Sequence, residues 1–461
     1  RGGEQIAGKT TVEAATGTPQ LNQGTTGTSV TVDCGSGANI SSNGDLSKPD
    51  GFLIFLPAGT YAQGFSFRIT DTDGCRYEIE TAQAVTVTAG VVTPLQSLPL
   101  TRYYGTANCY RADASAQTLS IDATPYYTFS RNYVHEGIRC TDASGAPAGV
   151  PAKAQIVWQQ PENGASGSVI DAPAMEGATL KVPVTGTKGN AVVAVCKADG
   201  TILWSYHIWV SEAQDIACRF EEAGAYTMLD RNLGATSTTP KDRNAYGLFY
   251  QWGRKDPFGT SNYEGKLKAM YDMAGVEVTR TVEACAAEDN IPNSIANPLT
   301  HYSGVSGGNY SWLTTVKANI ATDALKDLWG AESGTQTKYD PCPAGWRVAP
   351  QAAWKFYNDA AVTKEIVFAA GVESPENKDQ LGRYISIDGA TKFYFPSQGE
   401  IAHGGSYSNG IGTKYPCGKA WSSTVDATYF RSFGTTVSPT SASYTGGYTQ
   451  GYELPVRCVK L

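Results

Sequence analysis

The chain has 461 residues and a formal net charge of −7, from 36 basic and 43 acidic side chains. That length exceeds one ordinary core and implies two to four domains, while the acidic balance argues against nucleic acid and anionic membranes, both of which need a basic partner face. Only 17% of residues are charged, against 50 Gly, 26 Tyr and 9 Trp, and with turn signals at short intervals this reads as mainly β.

Residues 1–30 are rich in Gly, Thr and Gln and carry little pattern. Beyond them Phe52 to Pro57 reads as a buried strand, Ala58 to Tyr61 as a turn, and Phe65 to Thr70 as an amphipathic strand. Asp71-Thr72-Asp73-Gly74 then reads as a hairpin turn leading into Tyr77 to Glu80 and Val85 to Thr88. The Asp71/Asp73 pair lacks the spacing of a calcium loop and is better explained by the turn. Residues 1–100 are therefore expected to form a small β-sandwich module.

Residues 101–215 are expected to form a second β-sandwich module, which contains Trp158, Trp204 and Trp209. Ala191 to Val195 and Ile202 to Val210 flank Lys197-Ala198-Asp199-Gly200, a hairpin signature. His207 alternates into that strand and reads as a core histidine. The other histidines, His135, His301 and His403, have no H-x-x-x-H partner.

From about residue 216 the pattern changes. Helix-like stretches at Asp323 to Trp329 and Gln351 to Tyr357 stand among short strands and long Gly-rich loops, implying an α+β domain over 216–461. The ten cysteines are widely spaced and include no C-x-x-C pair, which disfavours zinc and thioredoxin-like chemistry and suits long-range disulfides in an oxidising compartment. Gly304-Val305-Ser306-Gly307-Gly308 fits a hydrolase pattern, but it lies in a loop and lacks the strand–turn–helix context of a nucleophile elbow. Carboxylates such as Glu400 and Asp426 stand alone. No catalytic residue, cofactor or metal site is assigned, and the chain is read as a non-enzyme.

Several motifs in order carry a resemblance. Leu229 to Ala235, Gly247 to Phe258, Cys342-Pro343-Ala344-Gly345-Trp346-Arg347-Val348, Trp421-Ser422-Ser423-Thr424 and Val456-Arg457-Cys458-Val459 together resemble the Fibrobacter succinogenes major paralogous domain. The last three also resemble the C-type-lectin-like fold, which implies a disulfide between Cys342 and Cys458 and core roles for Trp346 and Trp421. Leu56 to Tyr61 with the Asp-Thr-Asp-Gly turn resembles a Bacteroidetes fimbrillin-like domain, and Ala107-Asn108-Cys109-Tyr110 with Ile202 to Val210 resembles the middle module of the same surface proteins. The chain departs from these patterns at Tyr206, Cys196 and Ala349-Pro350.

What the resemblance implies is a cell-surface adhesin: a subunit near the tip of a type V fimbria, outer-membrane associated, joined to other pilus subunits by β-strand addition. Its C-terminal domain would bind a host, bacterial or glycan target. The first module reads as short, with strands missing upstream of Arg1. Only Val459, Lys460 and Leu461 follow Cys458, which on this reading leaves no donor strand. A glycan-capture lipoprotein of a polysaccharide-uptake system is the alternative. Glu-Pro-Asn and Gln-Pro-Asp sugar motifs are missing from 216–461, which disfavours calcium-dependent monosaccharide binding. The expected contact surface is the polar, aromatic run 403–450, through Ser406, Tyr407, Ser408, Asn409, Lys414, Tyr415, Tyr429, Arg431, Tyr444 and Tyr448. The resemblance further implies that this run is open to sequence diversification.

Overall fold

The structure, a computed structural model, describes residues 10–12, 19–21, 56–62, 65–70, 76–80, 84–91, 107–123, 126–130, 133–136, 151–162, 164, 166–177, 179–211, 217–220, 226–240, 242–261, 267–304, 310–316, 323–331, 334, 336–358, 363–368, 380–386, 393–408, 418–426, 431–437 and 442–461. The chain is mainly β, in several separate sheets, and forms two compact units.

The first unit comprises residues 1–103 and 125–136. Ser66–Thr70 and Arg76–Glu80 pair antiparallel as expected, with Ser66 opposite Glu80. Arg76–Glu80 then pairs in parallel with Tyr126–Ser130, which forms a hairpin with Tyr133–Glu136. Residues 125–136, read from sequence as part of the second module, thus complete the sheet of the first. A second correction concerns Ala58 to Tyr61, expected as a turn. Gly59–Tyr61 is a strand paired with Val85–Val87. The cause is visible in the side chains: Thr60 and Thr86 face each other at 3.2 Å, and Tyr61 is buried against Phe65 with its hydroxyl on the Pro57 carbonyl. β-branched and aromatic residues favour this half-buried pleat over a turn. Phe52 to Phe55 and the Asp71/Asp73 turn lie outside the described residues.

The second unit comprises residues 104–124 and 137–461. At its centre is a six-stranded sheet in the order Glu277–Val278, Met270–Tyr271, Lys153–Pro161, Gly189–Cys196, Ile202–Val210, Cys109–Ala112. The hairpin at Lys197 to Gly200 forms as expected, closed by the Gly200 N–H on the Lys197 carbonyl. All eight residues of Gly189–Cys196 are buried, which suits its near-continuous apolar run, since a strand covered on both faces has no reason to alternate. Thr179–Thr185 does alternate: Leu180, Val182 and Val184 turn inward, in the same apolar cluster as Trp158, Val193 and Trp209.

Residues of the 216–461 region build directly onto this sheet. Gln159 pairs with Tyr271, and Ser205, His207 and Trp209, two apart and so on one face, all reach toward it. Ser205 Oγ donates to Asp256 at 2.6 Å, Trp209 Nε1 donates to the Ala235 carbonyl at 3.1 Å, and His207 Nε2 donates to Asn190 Oδ1, whose amide donates in turn to the Gly234 carbonyl. His207 is buried, as read from its position in the strand, and burial pushes its imidazole down to about 3. It is neutral at physiological pH.

A four-stranded sheet in the order Ala217–Phe220, Tyr226–Leu229, Cys458–Lys460, Trp346–Val348 holds the motifs that opened and closed the C-terminal pattern. Val348 lies opposite Cys458, and Cys342 and Cys458 form a disulfide, with Cα atoms 6.0 Å apart. Trp346 and Trp421 are buried. Asp323–Lys326 is helical as expected, whereas Gln351–Asn358 is a 3-10 helix.

Candidate functional site

The exposed end of the C-terminal region is organised around a small hairpin. Glu400–Ile401 pairs with Tyr407–Ser408 and, at Ile401, with Glu453 of the strand Glu453–Pro455. The turn closes through the Ala402 N–H on the Ser406 carbonyl and the Gly405 N–H on the Ala402 carbonyl. This turn carries His403 outward.

Four half-buried rings then run side by side. Tyr310 stacks on His403 with ring centres 4.0 Å apart. His403 meets Tyr452 edge-on at 5.6 Å, and Tyr452 meets Tyr448 at 6.1 Å. Tyr448 in turn stands edge-on to the buried indole of Trp421 at 6.1 Å. At that end Lys419 is paired with Glu400 and sits 4.6 Å above the Tyr448 ring. The spacings suit offset and edge-to-face ring contacts, so the row is held in place by its own geometry.

Tyr310 is placed at a backbone cost. Its φ is 39°, the one left-handed non-glycine among the described residues, and such a conformation costs roughly 1–2 kcal/mol. Two glycines make room for it. A Cβ on Gly304 would lie 2.1 Å from the Tyr310 carbonyl carbon, and one on Gly451 would lie 2.5 Å from the Tyr310 carbonyl oxygen, which accepts the Gly451 N–H at 2.8 Å.

Beneath the row is a buried ion cluster. Glu453, fully buried, accepts from Arg280 at 2.9 Å and from His301 Nδ1 at 2.5 Å. The other His301 nitrogen faces the His403 carbonyl at 3.2 Å, and Arg280 also donates to the Gly405 carbonyl. Arg280 and His301 thus hold two carbonyls of the turn from below, and both meet the one Glu453 carboxylate. Burial, reinforced by nearby His301, lowers the His403 imidazole below its ordinary value, which favours the uncharged ring. Burial and Glu400 raise the Tyr452 phenol, which stays protonated. The row therefore presents neutral aromatic faces flanked by one Lys/Glu pair.

Of the residues expected to make contact, Ser406 is exposed at the turn, and Tyr407 and Ser408 lie opposite Ile401 and Glu400. Tyr448 is in the row, although one edge of it packs on Trp421. Arg431 lies opposite Asp426 and Tyr444 lies in the strand Ala442–Tyr448. Asn409, Lys414, Tyr415 and Tyr429 lie outside the described residues, as does Ser306. Sequence reading missed Tyr310 and Tyr452, and within the expected run 403–450 it did not single out His403 or Lys419. No group of three or more His, Cys, Asp or Glu side chains poised to hold a metal occurs among the described residues.

Compared with protein families, with curated proteins and with solved structures, the chain matches none. No described helix is long and apolar enough to cross a membrane.

Proposed function

We propose that this chain is a cell-surface adhesin, a fimbrial tip-type subunit of the Bacteroidetes kind, whose 216–461 region recognises a protein or glycan target through the aromatic row. The single observation that carries this is the row itself: four adjoining, half-exposed, neutral rings with a Lys/Glu pair at one end. Rings of this type offer large contact area at low conformational cost, and their edges and hydroxyls add directional hydrogen bonds. The strained backbone at Tyr310, accommodated by two glycines, supports a role beyond packing, because strain is retained where a surface must be pre-formed. On this reading other subunits are bound by β-strand addition elsewhere in the chain.

The test is a glycan- and protein-array screen of the full chain, with and without calcium, beside a Tyr310→Ala/Tyr452→Ala variant that keeps the fold. Calcium-independent binding abolished in the variant is expected. Binding that survives unchanged would move the contact elsewhere, and a chain that binds nothing yet assembles with other subunits would replace the adhesin reading with a structural one.

A further inference from the structure

A second polar site lies away from the row. The end of Lys153–Pro161 and the loops around Gly234 and Asn244 form a small open recess, lined by Glu162, Thr236, Asn244, Thr260 and Lys268 among others. It has room for little more than a water-sized group, and its lining is chemically specific.

Lys268 Nζ lies 3.0 Å from Asn244 Oδ1 and 3.0 Å from the Glu162 main-chain carbonyl. Both reacting residues are held on fixed backbone. The Lys268 N–H donates to the Thr260 carbonyl, and its own carbonyl accepts from the Gln160 side chain at 2.9 Å. Asn244 sits in the 3-10 turn Arg243–Ala245, where its N–H is capped by Asp242 and its carbonyl accepts the Thr236 and Ser237 N–H groups. The Glu162 carboxylate lines the same space, oriented by the Thr236 hydroxyl at 3.0 Å. Thr260 Oγ1, buried and without a partner among the described residues, leaves one further hydroxyl there.

A primary amine, a carboxamide and a carboxylate in one half-buried space are the parts of an amide-exchange reaction. We infer that Lys268 and Asn244 join in a side-chain amide cross-link, with Glu162 carrying the proton. The Nζ lone pair attacks Cγ of Asn244 and the Nζ–Cγ bond forms. A proton leaves Nζ for the Glu162 carboxylate and passes to Nδ2, the Cγ–Nδ2 bond breaks, and ammonia departs through the open mouth of the cavity. Nothing is oxidised or reduced, and no co-reactant is needed. Two features favour the step. Burial lowers the Lys268 ammonium to about 8, against the opposing pull of Asp242 and Glu162, so a fraction of neutral amine is present at physiological pH. The fold also holds amine and carboxamide at contact, which supplies the effective concentration that free amines and amides lack. The bond would tie residues 24 apart and fasten the segment leading into Met270–Tyr271, which pairs with Gln159 at the flank of the central sheet. It stands independently of the adhesin reading.

The test is intact-mass measurement and peptide mapping of the purified full chain after reduction of its disulfides. The expected result is a mass lower than the sequence mass by one ammonia, with a branched peptide joining the Asn244 and Lys268 fragments. Lys268→Arg should restore the full mass, and Glu162→Gln should slow or stop cross-linking. A parent chain at full sequence mass, with the two peptides recovered separately, would overturn the inference. So would an ammonia deficit without the branched peptide, which marks a cyclised asparagine.

Discussion

Two clusters of charge and aromatic rings in the same compact unit are built from the same chemistry and do opposite things. In the run Arg254-Lys255-Asp256 every side chain is buried. Arg254 donates to the carbonyls of Thr300, Asn297 and Pro298, and Lys255 bonds Asp256, Ser205 Oγ and the Ser205 carbonyl while lying 4.4 Å over Trp204. Main chain absorbs most of the donors, and nothing faces outward. In the row Tyr310, His403, Tyr452 and Tyr448 the Arg280 guanidinium and the His301 ring also grip carbonyls, but the rings above them stay half exposed. The first cluster locks two stretches of chain together; the second spends the same interactions on holding a surface open. Whether a charged aromatic cluster is scaffold or contact surface is thus decided by where its ring faces point, and composition does not reveal that.

The comparison can be broken from the scaffold side first. Replacing Cys342 and Cys458 together by Ala removes the constraint on a separation of 116 residues and is expected to cost about 4–5 kcal/mol in denaturant unfolding. A loss under about 1 kcal/mol would show that the clamp adds little to the surrounding sheet. Lys255→Ala leaves the Asp256 carboxylate buried without its cation and should cost about 3–5 kcal/mol, with target binding by the folded fraction unchanged. If binding fell instead, the two clusters would not be separable.

A third measurement reads the scaffold's protonation. Burial pushes the Asp340 carboxyl up to about 7, against the pull of the Cys342 and Val348 N–H donors. Folded Asp340 therefore keeps a proton that the unfolded chain gives up, so its contribution is present at low pH and is lost as pH rises through about 7. His207 has the reverse sign. Its folded value of about 3 lies below the ordinary 6.5, so stability is lost as pH falls below about 6.5 toward 3. Between about pH 4 and 6.5 the two terms oppose each other. In Asp340→Asn only the histidine term remains, and stability should fall by about 1.4 kcal/mol per pH unit on acidification relative to the parent. The opposite trend would mean the two N–H donors hold the carboxylate as an anion.

The smallest effect on stability belongs to the row. Tyr452→Ala should cost about 1 kcal/mol of folding free energy, the scale of its ring contacts, while weakening target binding more than about tenfold. Equal losses in both readouts would make the row ordinary packing.

Much of the fold was legible in local patterns. Ala191 to Val195 and Ile202 to Val210 read as paired strands because both are long and apolar around a Lys-Ala-Asp-Gly turn. The Cys342–Cys458 disulfide came through motif resemblance, not spacing. The rest was hidden for physical reasons. Arg254-Lys255-Asp256 looks like a solvated charge run, and only the tertiary fold supplies the carbonyls that let it be buried. Ala58 to Tyr61 looks like a turn until Thr86 and Phe65 are placed beside it. The row draws on residue 310, residue 403 and the neighbouring residues 448 and 452, three separate stretches of chain, so no local period announces it. His403 was passed over for lack of a second histidine at helical spacing, when its neighbours were in fact tyrosines. Gly451 beside Tyr452 was the available clue, a small residue where another backbone approaches closely.

The position of Cys458–Lys460 between Tyr226–Leu229 and Trp346–Val348 also sets the order in which the molecule can be made. A ribosome releases this strand after every neighbour it must pair with, so the sheet has a vacancy in its interior until residues 458–460 emerge. Until then Met228 and Val348 lack the cross-strand partners Val459 and Cys458, and apolar surface waits uncovered for a contact that spans more than a hundred residues. Such long-range closure is slow and exposes the intermediate to aggregation. The strand Cys458–Lys460 acts as a latch, and the speed with which the unit matures is set by how soon that latch arrives.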